Sequence, residues 1–340
     1  MSNTPLRNIL LYGSGGIGKS TTLATAAAYV WKNRKKKTRI VNADGGGTSS
    51  ALQGLIEEGI VEIWNVDQWD DKSIFLTLDL ATKGWWPKDA TTPNAELLPP
   101  AREWKECPLC SGDTGAKGLS AVAKCGTCGK DIPSGVSLKF HREPINGLES
   151  ISLVGFEGFT SFGDLLMRRL RKVDPSGGRS ISDGDFKISA PGQQHYGDAQ
   201  SYLQSFVANV RLIPVEFVMW TALEIKSDDD GKPLYGPKGP GKALTSTCIP
   251  WFTDVLHLDA YPKVDGTGKN VKNADGTEAL ERKLFLAPHF PPDNKVYKFA
   301  AKSSAPSFGG GMPLSMEPDM RVFFAKCDEA YKKAKEELLK

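Results

Sequence analysis

Short apolar runs alternate with longer stretches of mixed polar and apolar residues through residues 8–82, and the alternation resumes near residue 151. The apolar runs fit buried strands, and the mixed stretches fit helices with one apolar face. This alternation is typical of a mainly parallel sheet with helices packed on it, so we predict an α/β fold. The predicted strands are 8–12, 39–43, 61–66, 151–156 and 215–222, and the predicted helices are 19–31, 48–58, 70–82, 162–172 and 196–211.

The C-terminal part of the chain has a different pattern that favours strands over alternating elements. The dipeptides Asp265-Gly266 and Asp275-Gly276 are typical of hairpin turns, so we predict an extended hairpin there. Two polar segments, 174–194 and 227–242, are predicted to be loops because Gly, Ser, Pro and Lys are frequent in them. The other predicted elements are strands near 255–258, 283–287 and 296–300 and a charged helix over about 320–339.

The composition shifts between the first three helices and the strand at 151–156. Trp85 and Trp86 are adjacent here, Pro and Gly are frequent, and four of the six cysteines lie in this stretch. We therefore predict that residues 85–146 form an inserted module. Residues 1–84 and 147–340 would then form a single α/β core around it.

The overall charge is small. The chain has 43 Lys and Arg against 40 Asp and Glu, a formal net charge of +3, so any polyanion must bind to a local patch. Apolar runs fall short of the roughly 18–20 residues that span a bilayer, and the N-terminus lacks a signal-peptide core, so we expect a cytoplasmic protein with no membrane partner. Because cytosolic thiols stay reduced, the cysteines are interpreted first as metal ligands or core residues.

The eight residues from Gly13 to Ser20 read Gly-Ser-Gly-Gly-Ile-Gly-Lys-Ser, a complete G-x-x-x-x-G-K-[ST] phosphate-binding loop. A predicted strand precedes the loop and a predicted helix follows it, which directs main-chain N–H groups and the positive end of the helix dipole at phosphates. Lys19 is expected to reach the β- and γ-phosphates and the Ser20 hydroxyl to bind Mg²⁺. The predicted contacts to the nucleotide are Gly13, Ser14, Gly15, Gly16, Ile17, Gly18, Lys19, Ser20 and Thr21.

A nucleotide-hydrolysing site also needs a carboxylate for Mg²⁺ or the attacking water. Glu157 follows the apolar strand at 151–156, and Asp44 follows the strand at 39–43. We favour Glu157 for this role, on a strand next to the one that carries the loop, and Asp44 as an accessory acid at the nucleotide; either one could instead be a helix N-cap. Thr221, at a strand end, is either a sensor of the γ-phosphate or an ordinary strand residue.

The cysteines Cys107, Cys110, Cys125 and Cys128 form a C-x₂-C, x₁₄, C-x₂-C array. Two such pairs provide the four thiolates of a tetrahedral Zn²⁺ site in a zinc ribbon. The module has few aliphatic residues, so metal binding would supply its folding free energy. The remaining cysteines, at positions 248 and 327, are interpreted as packing residues.

Two other features carry less specific information. The segment 228–242 combines lysines with Tyr235, which would suit a contact with single-stranded DNA, although a surface loop with balanced charges is the favoured interpretation. The four histidines show no catalytic spacing. They are His141, His195, His257 and His289.

The chain resembles the AAA/RecA-like P-loop ATPase domain that is common in bacteriophage genomes. The resemblance lies in the phosphate loop and in residues 157–161, 235–245, 249–250 and 254–258. The resemblance covers most of the chain outside the cysteine module, and some members of this group are core-only RecA-like recombinases with single-strand annealing activity. It implies ATP as the nucleotide, Lys19 and Ser20 as ligands of the triphosphate and Mg²⁺, and Glu157 as the Walker B acid. It also implies recombination, replication or repair on single-stranded DNA by a homo-oligomer, in the host cytoplasm if a phage encodes the chain.

Some features depart from this group or fit other classes. RecA-like relatives often have a Lys-Asn-Arg-Phe-Gly type element, and here Lys302-Ser303-Ser304 with Phe308-Gly309 keeps the lysine but has no arginine. The loop is also similar to that of ParA/MinD-like switch ATPases, but Ser14 replaces their second lysine. The base-reading Asn-Lys-x-Asp of GTPases is missing. A nucleotide-binding assembly protein with weak or no turnover and a small-molecule kinase remain alternatives.

Overall fold

The structure is a computed structural model of the 340-residue chain. It describes residues 6–44, 47–66, 74–92, 95–115, 124–133, 136–175, 179–183, 186–229, 232–289, 298–304 and 313–338. By its internal contacts the chain divides into two units. The first comprises Met1–Lys83 and Ser150–Lys340, and the second is Gly84–Glu149.

The described residues form sixteen strands and seven α-helices. The strands are β1 (Arg7–Gly13), β2 (Lys37–Asn42), β3 (Val61–Asn65), β4 (Trp86–Pro87), β5 (Leu97–Leu98), β6 (Ala101–Lys105), β7 (Phe140–Pro144), β8 (Ile151–Glu157), β9 (Arg179–Asp183), β10 (Phe186–Ala190), β11 (Phe217–Asp229), β12 (Lys232–Pro237), β13 (Asp254–Pro262), β14 (Leu280–Phe285), β15 (Lys298–Phe299) and β16 (Ser315–Met316). The helices are α1 (Lys19–Arg34), α2 (Gly47–Glu57), α3 (Ile74–Thr82), α4 (Phe159–Val173), α5 (Gln193–Asn209), α6 (Leu244–Thr247) and α7 (Met320–Leu338).

The first unit is built on one large sheet in the order β16-β14-β13-β1-β11-β8-β2-β3, with β12 joined to β11 and β15 joined to β12. The six strands from β13 to β3 are parallel to one another. Beyond them, β14 pairs antiparallel with β13, and β16 pairs antiparallel with β14. This mainly parallel sheet confirms the predicted α/β fold class. No helix in the described part of the chain is both long and apolar enough to cross a bilayer.

The central strands are buried on both faces, as parallel strands covered by helices must be. Toward α1 and α7, Ile9 and Phe217 belong to a continuous apolar core, and the Phe217 ring stacks on Phe324 of α7 at 4.1 Å between centroids. On the opposite face, the Trp220 ring stacks on Phe156 at 4.2 Å. The two packed faces hold the carboxyl ends of the strands in one row.

The prediction that Glu157 lies on the strand next to the loop-bearing strand was wrong. β11 lies between β1 and β8, so a row across the sheet runs Leu11, Thr221, Glu157 and Asn42. The apolar strand patterns are alike and do not encode which strand lies beside which. The order depends on where each helical crossover returns the chain, which the local pattern does not specify.

Both predicted loops contain strands. Residues 174–194 include the antiparallel pair β9 and β10. Residues 227–242 include β12, which pairs with an extension of β11 to Asp229. Polar composition suggested loops at both places because these strands have few apolar residues, whereas the antiparallel ladder satisfies their main-chain groups without an apolar pattern.

The second unit has little regular structure. β4 pairs with β5 and β6 pairs with β7, both antiparallel. Within its described residues, a small cluster comprises buried Cys107, Cys125 and Ile132, with Cys128 and Leu138 packed against them. A cluster of this size contributes little hydrophobic free energy, and the cysteines make up most of it.

Candidate nucleotide-binding site

The predicted phosphate loop joins β1 to α1. Gly16 and Gly18 have φ angles of 72° and 108°, a region in which a side chain is strained, so glycine is required for this turn. α1 begins at Lys19. Its N-cap residue is Gly18, which has no side chain to accept hydrogen bonds from the main-chain N–H groups of the first turn. The main-chain N–H groups of that turn and the helix dipole therefore suit an anion. Ile17 is buried and anchors the loop in the core.

Lys19 folds back across its own loop. Its Nζ donates to the carbonyl oxygens of Gly13 at 3.1 Å and Ser14 at 2.8 Å. Burial lowers the pKa of Lys19, while the nearby carboxylates of Asp44, Glu224 and Glu157 oppose that shift, Asp44 most strongly. When a nucleotide binds, Lys19 can replace these two hydrogen bonds to carbonyl oxygens with stronger, charge-assisted hydrogen bonds to phosphate oxygens.

Glu157 and Ser20 are brought together at the carboxyl edge of the sheet. The Ser20 hydroxyl donates to Oε1 of Glu157. Glu157 is 2% exposed at the end of β8, and Ser20 lies in the first turn of α1. A hydroxyl and a buried carboxylate side by side are oxygen ligands of the kind Mg²⁺ prefers.

Asp44 lies near the same edge, just after β2. Its carboxylate accepts a hydrogen bond from the Ser161 hydroxyl, and its main-chain N–H donates to Oδ1 of Asn42 at 2.9 Å. Asp44 is exposed, unlike Glu157. Its effect on the pKa of Lys19 places it within electrostatic range of the loop.

Thr221 is fully buried in the row between Leu11 and Glu157. Its Oγ1 accepts a hydrogen bond from the Gly158 N–H at 3.1 Å. Gly158, at φ 97°, follows β8 and is the N-cap of α4, which begins at Phe159 and not at the predicted residue 162. The Thr221 hydroxyl thus fixes the turn that follows Glu157.

Glu224 was missed by sequence reasoning. It lies on β11 just beyond Leu223, which pairs with Gly13, and its carboxylate is one of those acting on Lys19. Oε2 of Glu224 accepts from Nε2 of the buried His257 at 3.1 Å. The available signal was an acid near the end of a predicted strand, but the predicted strand ended at residue 222.

Two segments singled out in the sequence lie elsewhere. The Tyr235 ring is half-buried and stacks on Phe299 at 4.7 Å between centroids, so one face of the aromatic group considered for base stacking is already covered. Ser303 donates to Asp254 at 2.7 Å, and Asp254 begins β13 at the amino edge of the parallel sheet, opposite the loop of the same chain. Phe308 and Gly309 lie outside the described residues.

The four predicted zinc ligands of the second unit lie together, with all sulfur atoms within 4.8 Å of one another. Sulfurs bound at about 2.3 Å to a tetrahedral Zn²⁺ are about 3.8 Å apart, and Sγ of Cys110 and Cys125 are 3.8 Å apart. Main-chain N–H groups of Leu109 and Thr127 donate to Cys107 and Cys125 sulfurs at 3.4 and 3.3 Å. These residues fit a zinc ion. Cys248 and Cys327 are both buried in the first unit.

No family model matches the chain, and no curated protein matches it. Among solved structures, a KaiC-like protein from the hyperthermophilic archaeon Pyrococcus horikoshii OT3 is similar over 82% of this chain and 77% of that chain, with a TM-score of 0.35 and 9% identity. A similarity this weak carries no functional weight, so the functional inference depends on the residues of the chain itself.

Proposed function

We propose that the chain is a RecA-like P-loop ATPase. The observation that carries the proposal is the Ser20–Glu157 hydrogen bond beside Lys19, where a hydroxyl, a buried carboxylate and a lysine meet at one phosphate loop. These three groups are the ones that phosphoryl transfer requires, and they come from distant parts of the sequence.

Each residue has a distinct role in this proposal. Ser20 and Glu157 would hold Mg²⁺, which when bound neutralises charge on the phosphates. Lys19 would leave its carbonyl partners and bind the β- and γ-phosphates, while the first turn of α1 donates main-chain hydrogen bonds. Glu157 would also orient the attacking water, with Asp44 as the accessory acid and Thr221 holding the turn that positions Glu157.

Replacing the loop lysine tests the enzymatic claim. We expect Lys19→Ala to abolish ATP hydrolysis, because the charge developing on the transferred phosphoryl group loses its main protein counter-ion. Lys332→Ala, an exposed lysine of α7, is the matched control and should keep the wild-type rate. The measurement is phosphate release with Mg²⁺ and ATP, and unchanged turnover in Lys19→Ala would contradict the proposal.

A finer proposal concerns the partner. The phage-type resemblance supports action on single-stranded DNA by a homo-oligomer, in recombination, annealing, replication or repair. We expect single-stranded DNA to stimulate ATP turnover, measured with and without the oligonucleotide. Hydrolysis that is indifferent to DNA would favour a ParA/MinD-like switch or a kinase, and hydrolysis too slow to measure would favour a nucleotide-binding assembly protein.

The cysteine module is proposed to be a zinc ribbon. The sulfur separation and the N–H···S hydrogen bonds support four thiolate ligands, which is the donor set of a closed structural Zn²⁺ site. In this role the ion holds the second unit together and takes no part in hydrolysis.

A further inference from the structure

A second group of side chains that could hold a metal ion lies beside the phosphate loop, and two of its three residues are on β13. His257 and Asp259 are two residues apart on this strand, so both project from the same face. His289 approaches them after β14 and is held by main-chain hydrogen bonds with Phe299. One ligand atom from each of the three residues lies within 4.8 Å of the others. His257 pairs with Tyr12 across the sheet, which places the group immediately behind Gly13.

We propose that His257, Asp259 and His289 bind a divalent transition-metal ion, with Zn²⁺ as the best fit. Nδ1 of His257 and Nε2 of His289 are 3.2 Å apart. Two nitrogens bound at about 2.0–2.1 Å to one tetrahedral ion are about 3.4 Å apart, so the imidazoles already have the spacing of ligands to a shared ion.

Glu224 prepares His257 for this role. A carboxylate accepts hydrogen bonds, so the 3.1 Å contact between Oε2 of Glu224 and Nε2 of His257 requires the proton on Nε2. The opposite nitrogen, Nδ1, then carries the lone pair and accepts the 3.2 Å hydrogen bond from Nε2 of His289, a contact that a shared ion would replace. Metal-binding histidines typically donate their second N–H to a carboxylate in this way, which fixes the tautomer and the ring orientation.

The surroundings favour a firmly bound ion of the zinc type. The imidazoles are packed among aromatic rings, with Phe299 4.1 Å from His257 and Phe285 3.5 Å from His289 between centroids. This packing holds both rings in place, with His257 fully buried and His289 half-buried. Two imidazoles and one carboxylate suit Zn²⁺ or a similar borderline ion better than Mg²⁺ or Ca²⁺, which prefer oxygen ligands only.

The site would also connect the ion to the nucleotide. Glu224 binds His257 on one side and acts electrostatically on Lys19 on the other. An ion bound to His257 would strengthen the hydrogen bond to Glu224. It would thereby join β11 and β13 beside the loop, separately from the cysteine cluster of the second unit.

Zinc content per chain tests the proposal. The full-length protein is incubated with Zn²⁺, freed of excess ion by gel filtration, and measured by elemental analysis. Removing a ligand should lower the content by about one zinc per chain, both in Asp259→Ala and in His289→Phe, which keeps the aromatic stack. Glu281→Gln, an exposed carboxylate on the neighbouring β14, is the control and should retain the wild-type content. Unless both ligand variants lose the ion, the proposal is wrong.

Zinc X-ray absorption of the unaltered protein gives a test that does not depend on a variant folding. With the ribbon and the histidine site both filled, the average zinc shell contains sulfur and nitrogen or oxygen in about equal number. A shell of sulfur alone would overturn the proposal. Neither measurement uses ATP, so failure of the ATPase proposal would leave this result unaffected.

Discussion

At the scale of single residues, the candidate site depends on where one side chain is placed relative to the next. Glu157 is almost fully buried and hydrogen-bonded to Ser20, whereas Asp44 is exposed and hydrogen-bonded to Ser161. A buried carboxylate stays in place only if a hydrogen bond or a cation satisfies it. This difference supports Glu157, ahead of Asp44, as the residue that binds the metal.

Gly158 is the residue whose replacement should disturb the site with the smallest chemical change. Its φ is 97°, and a Cβ there would lie 2.5 Å from Oδ1 of Asp44. We expect Gly158→Ala to lower the free energy of unfolding by about 1–3 kcal/mol and to slow ATP turnover, because the turn after Glu157 must shift. Denaturant unfolding and phosphate release are the measurements.

Gly59→Ala is the matched control for this change. Gly59 also has a positive φ, 68°, but no atom lies within 4 Å of the position that a Cβ would take, so the substitution introduces backbone strain alone. It should lower stability by about 1 kcal/mol and leave turnover unchanged. Equal effects of the two substitutions on turnover would show that the contact with Asp44 has no part in the site.

The residues of the loop were predictable from the sequence, since a contiguous motif between a strand and a helix specifies local geometry. Ser20 and Glu157 were each predicted as a metal-binding candidate, but the contact between them was not predicted. His257, Asp259 and Glu224 were not recognised, because their proximity depends on β1 lying between β11 and β13. Such a juxtaposition across strands leaves no spacing pattern in one sequence.

At the scale of elements, the apolar periodicity identified strands and helices well where both faces are buried. β1, β8 and α1 lie close to their predicted positions. The periodicity did not identify β9, β10 and β12, because these strands are polar and are stabilised by antiparallel pairing. It also did not encode the order of the parallel strands. Continuous apolar runs identify a buried strand without identifying its neighbours.

The cysteine knuckles give a prediction for the second unit. We expect Cys110→Ser to accelerate amide hydrogen exchange in residues 95–115 and 124–133. Losing one thiolate ligand would weaken binding of the proposed zinc ion, which stabilises this unit in place of a large hydrophobic core. ATP turnover should stay within about twofold of wild type, since the role proposed for this zinc is structural. Hydrogen exchange by mass spectrometry and phosphate release are the measurements.

Cys248→Ala serves as the control for that variant, because Cys248 is a buried cysteine of the first unit. It should leave exchange in the second unit unchanged. If Cys110→Ser also leaves exchange there unchanged, the four cysteines do not hold a structural ion.

At the scale of the whole molecule, the unit with the large sheet and the cysteine-rich unit have different sources of stability. The first has a sheet with a continuous apolar core on its α1 and α7 face. The second has a small cluster dominated by cysteines. The groups proposed for catalysis, Lys19, Ser20 and Glu157, belong entirely to the first unit, so hydrolysis is expected to be a property of that unit.

The ATP turnover of Glu157→Gln, measured together with ATP binding, tests the central claim most directly. The amide keeps the size of the side chain but removes the charge that binds Mg²⁺ and orients water. We predict turnover lower by at least about 100-fold, with ATP still bound through the loop. Wild-type turnover in Glu157→Gln would contradict the assignment of this site as the centre of an ATPase.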